Sequence, residues 1–172
     1  MTTPVDKQAK DLDYLTPPRV LDPVKRYFGG QIPLDPATTA DNPTCAKMWY
    51  SPDQYDGLLQ PWGLEGVYVN PPYGKRIREW VETIYLKSGE RPILALLPVT
   101  RTEQGYFQRL MSRADAVCWI RKRVSFIRPS TGEKAKGNPH ASALWGFNVN
   151  LKRFISSFDE LGLVQVFDSR LR

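Results

Sequence analysis

The chain has 172 residues, enough for one well-buried domain and too few for two ordinary ones, and its 41% hydrophobic and 24% charged residues are a globular balance. A formal net charge of +6 favours an anionic partner. With two cysteines, Cys45 and Cys118, and the single His140, the composition argues against a disulfide framework and a His/Cys metal site, and no apolar run has the length of a membrane span.

Residues 1 to 13 are polar and lack the apolar segment of a signal peptide, so they read as a flexible leader to a single domain over 14 to 172, with a cytoplasmic location expected. Thr16, Pro17 and Pro18 then precede Val20, Leu21, Val24 and Phe28 at helical spacing. This predicts a helix with Thr16 as N-cap, Pro17 at its first position and Gly29 as its stop. Ile32, Pro33 and Leu34 read as a short strand whose end turns through Asp35, Pro36, Ala37 and Thr38. In open α/β sheets ligands sit beyond the carboxyl ends of strands, so Asp35 is placed to meet a ligand; an Asx-Pro turn would use the same residues. Residues 41 to 62 are irregular, and a segment of that length in a compact domain is more often functional than filler.

The apolar run Val67, Tyr68, Val69 ends in Asn70, Pro71, Pro72, Tyr73 and Gly74. Two prolines offer no N–H to a ladder, so the strand must stop there. What remains is a rigid cup: carbonyl oxygens, the Asn70 amide oxygen and the flat face of Tyr73. Such a set suits a planar ring bearing an exocyclic amine, with two acceptors for the amino hydrogens and one aromatic platform.

Asn70 to Tyr73 resembles the catalytic motif of S-adenosylmethionine-dependent amino-methyltransferases, in which Asp, Asn or Ser precedes Pro, Pro and an aromatic residue. With Asp56, Gly57, Leu58 and Trp62 upstream, it is similar in particular to the phage-type (Dam-like) DNA N6-adenine methyltransferases. The resemblance runs in motif order from about Tyr14 to Phe147. It implies a Rossmann-like α/β fold, with a mostly parallel sheet flanked by helices and an antiparallel C-terminal edge. It implies methyl transfer from S-adenosylmethionine to N6 of adenine in DNA, by a phage- or prophage-encoded enzyme of a bacterial cell. Asn70, Pro71, Pro72 and Tyr73 are then the catalytic set. Thr16, Pro17, Asp35, Pro36, Ala37, Asp56 and Asn70 are the expected cofactor contacts. No metal is implied. The residues alone leave Thr16 and Pro17 equally readable as a helix start, and Asp56 as the cap of the turn at Gly57.

Downstream, Ile77, Trp80, Val81, Ile84 and Tyr85 follow the spacing of an amphipathic helix, with Lys75, Arg76 and Arg78 at its start. Cations there oppose the helix dipole and so suit a phosphate, or form a solvated turn. Ile93 to Leu97 reads as a strand buried on both faces, followed by Arg101 and a helix carrying Tyr106, Phe107, Leu110 and Met111 inward. Asp115 to Ile120 is the next strand, with Cys118 as a buried small hydrophobe. A basic stretch from Arg121 through Arg123 and Phe126 to Lys134, Lys136 and His140 follows it. Lys75, Arg76, Arg101, Arg123, Lys134 and Lys136 are the expected DNA contacts, with a plain hydrophilic loop as the other reading of the last three. Ala143 to Phe147 and Val164 to Phe167 read as closing strands that could pair antiparallel with each other. A helix between them carries Phe154, Ile155, Phe158 and Leu161 and ends at Gly162.

In the resembled mechanism the adenine is extruded from the duplex, Tyr73 stacks on it, and Asn70 and the Pro71 carbonyl accept its N6 hydrogens. Alternatives are a methyltransferase of RNA adenine or protein glutamine, or a catalytically inactive DNA-binding domain of the same fold. The glycines usual after the first motif are absent here, which supports the last.

Overall fold

The computed structural model describes residues 14–135 and 140–168; the expected leader and Lys136 lie outside them. Helix α1 spans Pro18–Tyr27, one residue later than the sequence suggests. Pro18 holds the residue before it in extended backbone, so Pro17, at φ −72° and ψ 157°, is the N-cap and Thr16 is not. That correction frees the Thr16 hydroxyl for another partner. Gly29 does stop the helix: at φ +81° its N–H bonds Arg26 O at 3.1 Å, while Gly30 N–H reaches Lys25 O at 2.8 Å, the paired closure of a Schellman turn.

Strands β1 (Leu34–Asp35) and β2 (Met48–Trp49) form a short parallel pair that lies beside β3 (Val67–Val69). Helix α2 (Ile77–Lys87) follows, then β4 (Ile93–Pro98), a 3-10 turn over Val99–Arg101, and α3 (Gly105–Met111). The remainder is β5 (Ala116–Ile120), β6 (Ser142–Phe147), α4 (Leu151–Phe158) and β7 (Gly162–Val166).

The main sheet runs β3-β4-β6-β5-β7, with β3 and β4 parallel and the other three ladders antiparallel. The expected mostly parallel sheet is therefore found only on the β3 side. The reason is one insertion: β6 runs backward between β4 and β5, turning two co-directional strands into antiparallel neighbours. The two closing strands do not pair with each other, because β5 lies between them. Since β3, β4 and β5 share one direction, their carboxyl ends open on the same edge.

Side chains of each strand alternate between two cores. Val67, Val69, Ala95, Leu97, Val117 and Trp145 face α2 and α3, whereas Tyr68, Leu94, Leu96, Cys118 and Leu144 face α1 and α4. Cys118 is buried as expected. Two readings near the end need correction. Ile155 faces outward, 43% exposed. Gly162 opens β7 rather than closing α4: a Cβ there would stand 2.1 Å from Trp119 O, so glycine permits the close approach of β7 to β5.

Candidate active site

β3 ends where the prolines begin, and Asn70 is the first residue past it. The Asn70 Nδ2 group donates to Tyr14 O at 3.2 Å and to Thr16 Oγ1 at 3.2 Å. Both amide hydrogens are therefore engaged by acceptors from the segment before α1. The Tyr14 carbonyl can only accept, which fixes the amide with nitrogen inward and leaves Oδ1 as the group the side chain can offer a ligand. The Thr16 hydroxyl in turn lies 2.8 Å from Tyr68 Oη.

Three aromatic rings line the same place. Tyr73 is half-buried, bonded through its hydroxyl to Leu96 O at 3.2 Å, and meets Phe126 edge-on at 6.2 Å. Phe126 stacks on Tyr14 at 6.3 Å. Burial pushes both the Tyr73 and the Tyr68 phenols upward, so neither ionises near neutral pH.

The segment bearing Tyr14 and Thr16 is held by the basic loop. Leu15 and Ile127 exchange two backbone hydrogen bonds of 2.9 Å, and Ile127 bridges in turn to Lys134 across a hairpin. Asn70 is thus oriented by a piece of chain that the loop after β5 keeps in register.

Asp35 lies at the carboxyl end of β1, 2% exposed, its Oδ1 accepting from Ala37 N at 3.1 Å. Burial raises its carboxyl to about 7, only partly offset by the Ala37 N–H and the Thr44 hydroxyl. None of the ion pairs found among the described residues involves Asp35. The folded state binds the proton more tightly than the unfolded chain, with its carboxyl at 3.8. The group's contribution is thus fully present below about 4 and is lost as pH rises through about 7. The loss is at most of order 4 kcal/mol. Urea unfolding across that window should show stability falling with pH, and Asp35→Asn should flatten the slope; an unchanged slope would reject the buried carboxyl as its source.

Residues far apart in sequence are brought onto this strand end. Gly57 lies directly against Pro36, where an added Cβ would stand 1.9 Å from Pro36 O. Beside it Asp56 Oδ1 accepts from Leu58 N at 3.0 Å and Oδ2 takes Arg76 Nη1 at 2.9 Å. Trp62 Nε1 closes the turn on Gly57 O at 2.8 Å. Asp56 is thus both turn cap and ion-pair partner. Of the cations at the start of α2, Arg76 also pairs with Glu79 and Arg78 with Glu82, which accounts for the tolerance of these two at a positive helix end. Lys75, Arg101 and Arg123 are exposed beyond the ends of β3, β4 and β5, on the Asn70 edge, and exposed Lys134 joins them through Ile127. Among the described residues no His/Cys/Asp/Glu group could hold a metal.

The Dam model, DNA N-6-adenine-methyltransferase, matches residues 2–162. The chain belongs to this family. No curated protein matches it. As a Dam-family enzyme it methylates N6 of adenine in DNA, which sets aside RNA adenine and protein glutamine as its substrate. No helix among the described residues of the Dam-family chain is long and apolar enough to cross a membrane. Two residues that support its site from behind escaped the sequence reading. Tyr68 was counted into an apolar run, although a buried tyrosine among valines carries a hydroxyl that must find a partner. Thr44 sat within an irregular stretch and carried no signal.

Proposed function

We propose that the enzyme takes its methyl group from S-adenosylmethionine bound against Asp35, and presents Asn70, Pro71 and Tyr73 to an adenine flipped out of the duplex, on a Rossmann-like framework. The observation that carries this reading is the engaged Asn70 Nδ2, which leaves an oriented acceptor at the strand end. For the cofactor, the fit rests on Asp35: a buried carboxyl without a cation suits a ligand bearing an ammonium or sulfonium group. Ser51 Oγ, buried beyond the end of β2 and without a hydrogen-bond partner, is a second polar group available there. Thr16, Pro17, Pro36, Ala37 and Asp56 are proposed around the same pocket, with Asp56 acting through the turn at Gly57.

Bound S-adenosylmethionine supplies an electrophilic methyl group. Asn70 Oδ1 and the Pro71 carbonyl accept the N6 hydrogens and turn the nitrogen lone pair toward that methyl. Tyr73 provides the stacking face, with Phe126 fixing its ring edge-on. Neutral Asn70 is no base, so the nitrogen loses its proton to solvent after transfer. Catalysis then consists of positioning and preoriented dipoles. Incubating the protein with labelled S-adenosylmethionine and unmethylated duplex DNA, followed by nucleoside analysis, should yield N6-methyladenine; label in RNA or protein, or none anywhere, would reject the reading.

DNA backbone contacts are proposed at Lys75, Arg76, Arg101, Arg123, Lys134 and Lys136. Arg123→Ala and Lys134→Ala should each weaken binding whatever the sequence and lower the salt slope of affinity by about one. Anisotropy titrations across a salt series measure this, and slopes equal to the parent's would remove these residues from the interface.

A further inference from the structure

Tyr68 stands at the centre of β3, fully buried, on the face that packs against α1 and α4. It does not line the site, and phenylalanine would fill the same space. What the tyrosine adds is one hydroxyl, 2.8 Å from Thr16 Oγ1, and Thr16 is itself only 6% exposed. Thr16 Oγ1 is also one of the two acceptors for Asn70 Nδ2.

We infer that Tyr68 is a positioning residue for methyl transfer, acting through Thr16 to hold the Asn70 amide with its oxygen toward the target amine. The inference rests on the reading of Asn70 as the acceptor for that amine. The two ends of an amide have nearly the same shape, so only hydrogen-bond partners decide which way it faces. Tyr14 O discriminates, since it can only accept. Thr16 does not discriminate unaided, because a hydroxyl can accept from the amide nitrogen or donate to the amide oxygen. Either hydroxyl can donate in this 2.8 Å bond; it fixes the Thr16 rotamer that sets Oγ1 against Asn70 Nδ2, and in the arrangement that turns the Thr16 hydrogen to Tyr68 Oη the oxygen is left as an acceptor toward Asn70. Both partners then demand the same orientation. Donation by both amide hydrogens also polarises the group and strengthens Oδ1 as an acceptor. The phenol hydrogen-bonds Thr16, whereas Asp35 and Tyr73 act on it only electrostatically, so Thr16 is the contact through which it acts.

The test compares wild type, Asn70→Ala, Tyr68→Phe and Thr16→Val in single-turnover methylation, with cofactor affinity measured separately by calorimetry. The expected result for Tyr68→Phe is a loss of about tenfold in the transfer rate, with cofactor affinity and thermal midpoint close to wild type. Thr16→Val should lose at least as much, the double variant no more than Thr16→Val, and Thr16→Ser should recover most of the loss. In ¹⁵N spectra the paired Asn70 side-chain resonances, identified by their disappearance in Asn70→Ala, should broaden or shift in Tyr68→Phe, a change that packing alone would not cause.

An active Tyr68→Phe with wild-type rate overturns the inference and leaves the reading of Asn70 intact. An unchanged transfer rate in Thr16→Val also overturns it, whatever that variant does to cofactor affinity. A wild type without transfer, or an active Asn70→Ala, overturns the reading beneath it. Should Tyr68→Phe fail to fold, the Thr16→Val and Thr16→Ser pair decides the same question.

Discussion

Asn70→Ala is expected to lower the methyl-transfer rate by roughly 10²–10³-fold, the usual effect of removing one preoriented polar group from a reacting centre, while leaving the fold intact. The side chain lies beyond the strand end and its partners are a carbonyl and a hydroxyl that water can satisfy. Asn70→Asp is the more discriminating variant. The motif this chain resembles admits Asp at the same place, yet here an ionised carboxylate would set an acceptor against Tyr14 O, 3.2 Å from the present nitrogen. Two acceptors repel, so the carboxyl should hold its proton more tightly than usual and mimic the amide only when protonated. Transfer by Asn70→Asp should therefore be weak at neutral pH and rise as pH falls, opposite to any loss from acid unfolding. Rates at saturating cofactor and DNA over a pH series measure this; a variant as active as wild type at every pH would show that Tyr14 does not orient residue 70.

Gly57→Ala is expected to destabilise the protein by about 1–3 kcal/mol and to weaken cofactor binding together with stability. The added carbon would stand 1.9 Å from Pro36 O and 2.9 Å from Pro36 C, and backbone atoms cannot rotate aside as a side chain can. Either the turn at 56–58 lifts, breaking the Asp56–Arg76 pair, or Pro36 retreats and takes the neighbouring Asp35 with it. Gly63→Ala is the control, since nothing lies within 4 Å of its added carbon. Urea unfolding and calorimetric titration with S-adenosylmethionine separate the two effects. Full cofactor affinity in a folded Gly57→Ala would detach Pro36 from the cofactor pocket.

Much of this architecture was legible because its signals are local. The period of Ile77, Trp80, Val81 and Ile84 gave α2, the unbroken run of Ile93 to Leu97 gave β4, and Pro71 and Pro72 marked the end of β3. What escaped depends on pairing across long separations. Nothing near Ser142–Phe147 states that this strand runs backward between β4 and β5, nor does Gly162 announce that it meets Trp119. Thr16 misled because two prolines follow it: Pro17 takes the N-cap position, and the Thr16 hydroxyl bonds Tyr68 and Asn70 instead. At the site, the motif revealed which residues gather at the strand end. Their orientation was not legible, because it comes from Tyr14, Thr16 and Tyr68, more than fifty positions from or hidden within the segments they serve.

The shared register of Leu15, Ile127 and Lys134 limits how this enzyme can be re-engineered. A different loop grafted after β5 must keep Ile127 in place, because Ile127 sets where Tyr14 and Thr16 sit over Asn70. A graft that slips Ile127 by a single residue would invert its side chain and displace the Tyr14 carbonyl, disarming the amide while leaving the fold whole. New sequence is best accommodated at the hairpin tip, between Arg128 and Glu133, where the turn is closed locally: Arg128 N–H donates to Glu133 O at 2.9 Å, and Gly132 and Thr131 N–H turn back on Arg128 O at 2.9 and 3.4 Å. The tip can be varied, while the base keeps Tyr14 and Thr16 against Asn70.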